Sequence, residues 1–140
     1  MDSIKTIAGL AAHLGQPESS LQIHCNFCKR QLCSAEKVIF SAYNFRLRWK
    51  EGKVYACCRT CMRLSSTLEF TGYFENNIQV QDLARTGLSL RAHQIRCRTC
   101  LKPLSDREKR RLSGTREFIY LVRGQLRGVC TLCRLSNHAV

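Results

Sequence analysis

The feature that most constrains this sequence is a cysteine pattern that occurs twice. Two C-x2-C pairs are separated by 29 residues, and two further pairs follow with the same separation. An offset of 72 residues superposes one set on the other. The eight cysteines are Cys25, Cys28, Cys58, Cys61, Cys97, Cys100, Cys130 and Cys133. Because chance would not reproduce both the pair spacing and the loop length, we infer that the chain contains two copies of one folding unit.

Each copy has the ligand spacing of a metal site. One C-x2-C pair supplies two thiolates, and a second pair completes a tetrahedral set of four, which suits zinc. Disulfides are an alternative that would require secretion, but the apolar stretch Ile7–Leu14 is short, contains His13 and lacks a proper cleavage site. A thioredoxin-like redox site is a second alternative, and it requires one such motif rather than four. We therefore expect two Zn²⁺ ions, one in each copy.

Two cysteines fall outside the repeated pattern. Cys57 is adjacent to Cys58, so either could be the ligand at that point. The second copy favours Cys58, because Val129 occupies the position equivalent to Cys57. Cys33 is equivalent to Ser105. We expect Cys33 and Cys57 to be unligated thiols, with a reactive role as the alternative.

The charge of the chain indicates acidic partners. Its 23 Lys and Arg residues outnumber 10 Asp and Glu residues, so the formal net charge is +13. Eight thiolates and two Zn²⁺ ions would lower this value to about +9, which still favours nucleic acid or acidic peptides. A hydrolase is not expected, because a closed four-thiolate site has no open coordination position. No apolar run is long enough to span a bilayer, so no membrane partner is expected.

The length of the chain fits two very small domains. A domain of about 45 residues has a marginal core, and bound zinc is a common source of additional stability. The predicted fold class is α+β, with two homologous zinc-bound domains, each a short β-sheet plus short helices, joined by a helical linker. The predicted boundaries are 1–19 for an N-terminal extension, 20–66 for the first zinc domain, 67–91 for the linker helix region and 92–140 for the second zinc domain.

A β-hairpin is predicted before the second cysteine pair of each copy. In the first copy, apolar and basic residues alternate from Phe45 to Lys50, and a return strand follows the turn at Gly52. In the second copy, the segment 118–122 precedes a turn that contains Gly124. The two glycines are equivalent, as a left-handed turn position requires.

A short helix is predicted after the first cysteine pair of each copy. In the second copy, Ser105 and Glu108 form a capping box at its start. In the first copy, a helix that starts at Ser34 lacks the reciprocal glutamate, the one at the third helical position that would complete a capping box. The start of this helix is therefore predicted to be weaker than that of its equivalent in the second copy. The linker is predicted to be helical over 62–74 and again around 80–85.

Local motifs resemble one known family, the papillomavirus early protein six, over about residues 20–135. The motifs of the second copy are Ile95-Arg96-Cys97, Cys100, Pro103-Leu104, Glu108-Lys109 and Arg111. Those of the first copy are Cys25, Cys28-Lys29, Gln31-Leu32, Gly52 and Tyr55-Ala56. Together with the cysteine spacing, these motifs are specific to that family.

The resemblance implies a non-enzymatic viral oncoprotein with no catalytic residues. In that family, two zinc lobes and a linker helix enclose a groove that binds an acidic LxxLL helix of a host protein. By this similarity, Arg96 and Arg123 would hold acidic residues of the peptide. Phe45, Cys57 and Met62 would line the pocket for its leucines.

The resemblance also implies partners and a location. Mastermind-like coactivators, with repression of Notch signalling, are the favoured partners, and a HECT-type ubiquitin ligase is the other choice. No PDZ partner is expected, because His138 stands at the third position from the end, where such a ligand needs Ser or Thr. The family acts in the host nucleus and cytoplasm. The alternative function is a basic zinc-finger regulator that binds nucleic acid, although the chain has no recognisable reading helix, so nucleic-acid binding should be weak at most.

Overall fold

A computed structural model describes residues 2–115 and 117–138 of the chain. The chain divides into two compact units, Met1–Met62 and Arg63–Val140. Among the described residues, no helix combines the length and the apolar character needed to cross a membrane. The sequence-based boundaries at 20–66, 67–91 and 92–140 stay predictions.

The first unit contains a small sheet, with helices before, between and after its strands in the chain. Its elements are α1 (Ile7–Leu14), a 3₁₀ turn (Glu18–Ser20), β1 (His24–Cys25), α2 (Ser34–Ala42), β2 (Arg48–Lys50), β3 (Lys53–Ala56) and the start of α3 (Arg59–Tyr73). In this described part of the chain, the strand order is β1-β3-β2, with β1 parallel to β3 and β2 antiparallel to it. Buried apolar residues include Ile7, Leu10, Ile23, Leu32, Phe40 and Leu47.

The N-terminal helix α1 is attached to the first sheet by the residues that precede it. The indole N–H of Trp49 donates a 2.7 Å hydrogen bond to the carbonyl oxygen of Ile4. The backbone N–H of Leu47 donates to the carbonyl oxygen of Lys5 at 2.8 Å. The helix ends at Gly15, whose φ of 65° lies in the left-handed region that glycine adopts without strain. The N-terminal segment is therefore part of the first unit.

The second unit has a larger sheet. After the remainder of α3, its elements are β4 (Phe74–Gln79), a 3₁₀ segment (Val80–Thr86), β5 (Arg96–Cys97), α4 (Asp106–Thr115), β6 (Phe118–Val122), β7 (Gln125–Gly128) and α5 (Thr131–His138). In the described residues, the strand order is β4-β6-β7-β5, and only the β5–β7 pair is parallel.

The core of the second unit surrounds its cysteines. Buried apolar residues in this cluster are Ile78, Leu83, Ile95, Leu104, Leu112, Ile119 and Leu126. Gly128 at the end of β7 lies against this core, and a Cβ there would be 2.9 Å from Cδ1 of Leu104. This close approach explains why glycine fits at position 128.

These elements confirm the predicted α+β class with two small four-cysteine domains. Three strands were not predicted from the sequence: the two-residue strands β1 and β5, and the longer strand β4. Residues Phe74–Gln79 form β4, which pairs antiparallel with β6 so that Ile78 lies opposite Ile119. In β4 only Ile78 is buried, so the segment lacks the alternation that marks a half-buried strand. It becomes a strand because it pairs with β6, a contact between distant parts of the chain.

The start of α2 differs from its prediction. The N-cap is Cys33 rather than Ser34, and its backbone N–H donates a 3.1 Å hydrogen bond to Oε1 of Glu36. In α4, the N–H of Ser105 donates to Oε1 of Glu108 at 2.9 Å. The reciprocal glutamate is therefore present in both copies, and its predicted absence from the first copy was wrong because the N-cap lies one residue before Ser34.

Candidate zinc centres and nearby residues

The first cysteine group is assembled from two chain segments that the sheet brings together. Cys25 ends β1, and the turn that follows it is closed by the N–H of Lys29, which donates to the carbonyl oxygen of Cys25 at 3.0 Å. This turn carries Cys28. Because β1 pairs with β3, the turn lies beside Cys58, which follows β3, and Cys61, which lies in the first turn of α3.

The second group repeats this construction. Cys97 ends β5, and the N–H of Leu101 donates to the carbonyl oxygen of Cys97 at 2.9 Å. Leu101 and its equivalent, Lys29, both have left-handed backbone conformations, with φ values of 65° and 64°. The parallel pairing of β5 with β7 brings this turn next to Cys130. The same local geometry in both copies accounts for the identical cysteine spacing.

The sulfur positions fit a tetrahedral metal ion. Zinc–sulfur bonds of about 2.3 Å in a tetrahedron place neighbouring sulfurs about 3.8 Å apart. The Sγ atoms of Cys28 and Cys58 are 3.8 Å apart, as are those of Cys100 and Cys130. In each group all four ligand atoms lie within 4.8 Å of one another. The structure confirms the predicted pair of four-cysteine groups in the described residues, each able to hold one zinc ion.

These cysteines form no disulfides with one another in the structure. A disulfide requires about 2.05 Å between its sulfurs. All ten cysteines lie in the described part of the chain, and each is a free thiol. Seven of the eight ligand candidates are buried, and Cys28 is exposed. A closed, mostly buried thiolate set of this kind is typical of a structural zinc site.

One thiol in each group is favoured as a thiolate. Burial opposes ionisation of Cys25, but backbone N–H donors, chiefly that of Cys58, outweigh burial and lower the pKa of Cys25 to about 6. Hydrogen bonds from the thiols of Cys100 and Cys130 lower the pKa of Cys97 well below its ordinary value. Each zinc ion must displace protons from the other thiols of its group. Zinc affinity therefore falls as the pH falls.

The two cysteines outside the pattern have different surroundings. Cys57 is half-buried, and its thiol donates to the carbonyl oxygen of Cys58 at 3.5 Å. Burial, followed by the charges of Cys25 and Cys58, raises the pKa of Cys57 to about 12. Cys33 is exposed at the N-terminus of α2. Within the described residues, neither belongs to a group that could hold a metal ion.

A buried glutamate supports each cysteine group, a role that was not predicted from the sequence. Oε2 of Glu36 accepts a 3.3 Å hydrogen bond from the N–H of Arg59, next to Cys58. Oε2 of Glu108 accepts one of 2.6 Å from the N–H of Thr131, next to Cys130. Each carboxylate thus connects the N-terminus of a helix to the second cysteine pair.

A basic residue accompanies each of these glutamates. Arg30 forms a 2.6 Å ion pair with Glu36, and Lys102 forms a 3.6 Å ion pair with Glu108. Burial opposes ionisation of Glu36, but the guanidinium of Arg30 and the N–H donors of Cys33 and Arg59 outweigh it and lower its pKa to about 2. The pKa of Glu108 is lowered in the same direction, because its N–H donors outweigh burial. The 72-residue offset was a signal for this pair, since it superposes both glutamates and both basic residues.

Three residues predicted to line a peptide pocket lie in the first unit. Phe45 follows α2, is half-buried, and stacks on Phe40 with ring centroids 5.7 Å apart. Cys57 connects β3 to α3 and is half-buried. Met62, in the first turn of α3, is 1% exposed. Their role in peptide binding stays a prediction.

The two arginines predicted to bind acidic residues lie in the second unit. The guanidinium of Arg123 lies 4.5 Å from the ring centroid of Tyr73. Arg96 in β5 is half-buried, and its Nη1 donates to the carbonyl oxygen of Leu101 at 2.9 Å. Arg96 also lines a pocket of about 360 Å³ in this unit. The prediction of no PDZ partner depends on residues 138–140, of which Ala139 and Val140 lie outside the described part of the chain.

Two buried four-thiolate groups, each on a small α+β unit, define a zinc-binding protein built from a tandem repeat. The family profile described as Early Protein (E6) matches residues 25–133. The chain therefore belongs to the E6 family of papillomavirus early proteins.

Individual relatives support this assignment. The chain is 38% identical to Protein E6 of human papillomavirus 20 over 130 residues, which cover 92% of this chain and 79% of that protein. It is 35% identical to Protein E6 of human papillomavirus type 1 over 133 residues, which cover 94% of this chain and 95% of that protein. It is 32% identical to Protein E6 of canine oral papillomavirus over 115 residues, which cover 82% of this chain and 79% of that protein.

Proposed function

We propose that this protein is a non-enzymatic viral adaptor that binds acidic LxxLL helices of host proteins in the nucleus and cytoplasm. Binding of this kind would alter host transcription, differentiation and apoptosis. A Mastermind-like coactivator is the favoured partner, and a HECT ubiquitin ligase is the second choice. Membership of the E6 family and a formal net charge of +13 both support an acidic host ligand.

The observation that carries this proposal is the position of Arg96. Its guanidinium is held by the carbonyl oxygen of Leu101 and lines a pocket rather than extending freely into solvent. A fixed guanidinium can bind a carboxylate with charge-assisted hydrogen bonds at a smaller entropic cost than a mobile one. In the proposal, Arg96 and Arg123 bind acidic side chains of the helix, and Phe45, Cys57 and Met62 contact its leucines.

The zinc centres support a structural role for the metal. Four thiolates complete the tetrahedral coordination of zinc, so water or substrate has no position at which to bind. The ion would then stabilise the binding surface without taking part in chemistry. This arrangement agrees with an adaptor rather than a zinc hydrolase.

Fluorescence anisotropy with the zinc-loaded full chain would test the proposal. Labelled acidic LxxLL peptides from a Mastermind-like coactivator and from a HECT ubiquitin ligase should bind with a Kd of about 1 μM or tighter. Arg96→Glu should weaken this binding by at least about tenfold, since an attractive charge becomes repulsive. The matched control is Arg110→Glu, which makes the same charge change at an exposed position of α4. Both variants should retain two zinc ions.

The high positive charge also allows the second candidate function, nucleic-acid binding. In that case the peptides would not bind. Duplex or single-stranded nucleic acid would bind instead, with an affinity that falls steeply as salt is added. Equal weakening of peptide binding by Arg96→Glu and Arg110→Glu would also contradict the proposed role of Arg96.

A further inference from the structure

Arg98, in the turn between Cys97 and Cys100, has a guanidinium group that two aromatic rings hold in place. The centre of this group lies 3.9 Å from the ring centroid of Phe70 in α3 and 4.7 Å from that of Tyr120 in β6. The two rings meet edge to face, with their centroids 5.5 Å apart. Because the cation–π contacts already fix the side chain, a ligand that binds it loses less conformational entropy than one that binds a mobile arginine.

The N–H donors of this guanidinium group lack an oxygen acceptor in the protein. In residues 2–115 and 117–138, none of the ion pairs includes Arg98, and no oxygen accepts a hydrogen bond from its side chain. The rings attract its positive charge, but an aromatic face is a much weaker hydrogen-bond acceptor than an oxygen. A half-buried cation with unused donors attracts an anion.

Arg98 lines a small pocket of about 160 Å³ in the second unit. The pocket contains no acidic side chain that would repel an anion, and its lining residues are Thr67, Phe70, Thr71, Arg98 and Thr99. The hydroxyl of Thr67 donates to the carbonyl oxygen of Arg63 at 3.0 Å. In the described contacts, the hydroxyls of Thr71 and Thr99 have no partner. The pocket therefore offers one guanidinium group and two hydroxyl groups to a ligand.

A phosphate monoester matches these donors better than a carboxylate does. Its three terminal oxygens point in different directions, so a guanidinium group can bind two of them while hydroxyl groups bind the third. It carries a charge of about −1.5 to −2 at pH 7, whereas a carboxylate carries one charge and has two oxygens in one plane. The volume of about 160 Å³ equals roughly five water molecules of about 30 Å³ each. A phosphoryl group fits in this volume, but a peptide helix or a nucleic-acid base does not.

We propose that Arg98, Thr71 and Thr99 form a binding site for the dianion of a phosphate monoester. The guanidinium group donates to two phosphate oxygens, and the two hydroxyls donate to the third. The same chemistry is presented by a phosphorylated serine or threonine side chain and by the free phosphate ion, and the titrations below separate these sources. This site shares no lining residue with the pocket of Arg96, so it does not depend on the proposed binding of LxxLL helices.

An NMR titration of the zinc-loaded full chain, labelled with ¹⁵N on arginine, tests the site directly. N-acetyl-phosphoserine amide should shift the Nε–Hε signal of Arg98 in a saturable way, with a Kd of about 1–10 mM. The variant Arg98→Lys assigns this signal. The signal of Arg127, whose side chain is 8% exposed and paired with Glu69 at 3.2 Å, should not move. Parallel shifts of both signals would show nonspecific screening by the anion and would overturn the proposal.

Four further ligands identify the chemistry that the site prefers. N-acetyl-serine amide, which lacks the phosphate, should cause no shift. N-acetyl-aspartate amide and dimethyl phosphate each carry one negative charge and should bind at least about fivefold more weakly than N-acetyl-phosphoserine amide. Inorganic phosphate separates the two sources. Tighter binding of N-acetyl-phosphoserine amide would identify a phosphorylated protein side chain as the ligand, and equal or tighter binding of inorganic phosphate would identify the free ion.

Variants of the threonines test the pocket without changing its charge. Thr71→Val and Thr99→Val keep the shape of the side chain but remove a hydroxyl donor, and each should weaken binding by about threefold to tenfold. Thr67→Val is the matched control in the same pocket, because the hydroxyl of Thr67 already donates within α3. It should change the Kd by less than about twofold. Arg98→Gln should weaken binding by more than about tenfold. All four variants should retain two zinc ions.

Three results would overturn the proposal. The first is that the Arg98 signal responds to neither phosphate ligand, and the second is that N-acetyl-aspartate amide binds as tightly as N-acetyl-phosphoserine amide. The third is that Thr67→Val weakens binding as much as Thr71→Val and Thr99→Val do. Because the threonine variants keep Arg98 and every cysteine, they decide the question even if Arg98→Gln fails to fold.

Discussion

The side chain of Glu108 accepts a 2.6 Å hydrogen bond from the backbone N–H of Thr131, the residue that follows a zinc ligand candidate. Glu36 makes the equivalent contact with Arg59 in the first unit at 3.3 Å. Both carboxylates also cap a helix through their other oxygen. The position of the second cysteine pair in each unit therefore depends on a buried charge as well as on the sheet.

We expect Glu36→Gln and Glu108→Gln to destabilise their units by about 1–3 kcal/mol each. Glutamine keeps one accepting oxygen but turns its NH₂ group toward the second N–H donor, which then loses its partner. Thermal unfolding of the zinc-loaded protein and the rate of zinc transfer to a chromogenic chelator would measure the effect. Glu51→Gln, at an exposed carboxylate in the first hairpin turn, is the control. Unchanged unfolding temperatures and zinc transfer rates in both variants would contradict the supporting role of the two glutamates.

The loss of stability caused by Glu36→Gln should be the same at pH 6, 7 and 8. The pKa of Glu36 is lowered from 4.5 to about 2 in the folded protein. Its stabilising charge is therefore fully present above the unfolded pKa, and it is lost only as the pH falls through the folded pKa. Zinc affinity should decrease from pH 8 to 6 in both proteins, because protons compete for the thiolates. Competition with a chelator at the three pH values should give a constant ratio between the zinc affinities of the wild-type protein and Glu36→Gln. A ratio of zinc affinities that changes with pH would count against this interpretation.

Cys58→Ser should remove one zinc ion and unfold the first unit, whereas Cys57→Ser should retain both ions. The physical reason is that Cys58 belongs to the four-sulfur group and Cys57 does not. Native mass spectrometry would give the metal count, and NMR would show which unit keeps dispersed signals. Cys130→Ser is the companion variant and should remove the ion of the second unit. Equal zinc loss in Cys57→Ser and Cys58→Ser would show that the ligand assignment is wrong.

Alkylation should distinguish the two unligated thiols of the zinc-loaded protein. Burial raises the pKa of Cys57 to about 12, so this thiol is almost entirely protonated at pH 8 and reacts slowly. Cys33 is exposed and should react first with iodoacetamide. Peptide mapping by mass spectrometry over time would give both rates. Similar rates for the two cysteines would mean that Cys57 is more accessible than the structure indicates.

Removal of zinc should unfold both units. Binding of a structural zinc ion contributes about 10–16 kcal/mol at neutral pH, which exceeds what a small core supplies. Circular dichroism during titration with a strong chelator should therefore lose helical and strand signals together, and returning zinc under reducing conditions should restore them. A fold that persists after two ions have been removed would contradict the structural role of the metal.

Much of the candidate site could be predicted from the sequence, because each pair of cysteine ligands is held by a turn of only a few adjacent residues. The turns that end at Lys29 and Leu101 depend on a few adjacent residues, so the same short pattern gives the same geometry twice. The second hairpin was also predictable, since the strand at 118–122 follows from its β-branched and aromatic residues. The same applies to α3 and α4, which have helical periodicity or a capping box.

The rest depended on contacts between residues that are far apart in the chain. β4 carries few strand signals and forms because β6 is available to pair with it. Arg127 resembles any surface arginine in the sequence, and its burial beside Arg96 results from the parallel register of β5 and β7. Spacing along the chain was sufficient to find the eight sulfur ligands, because the chain itself holds each cysteine pair together. Only the folded sheets show which charges share a pocket, because strand pairing and burial depend on the whole unit.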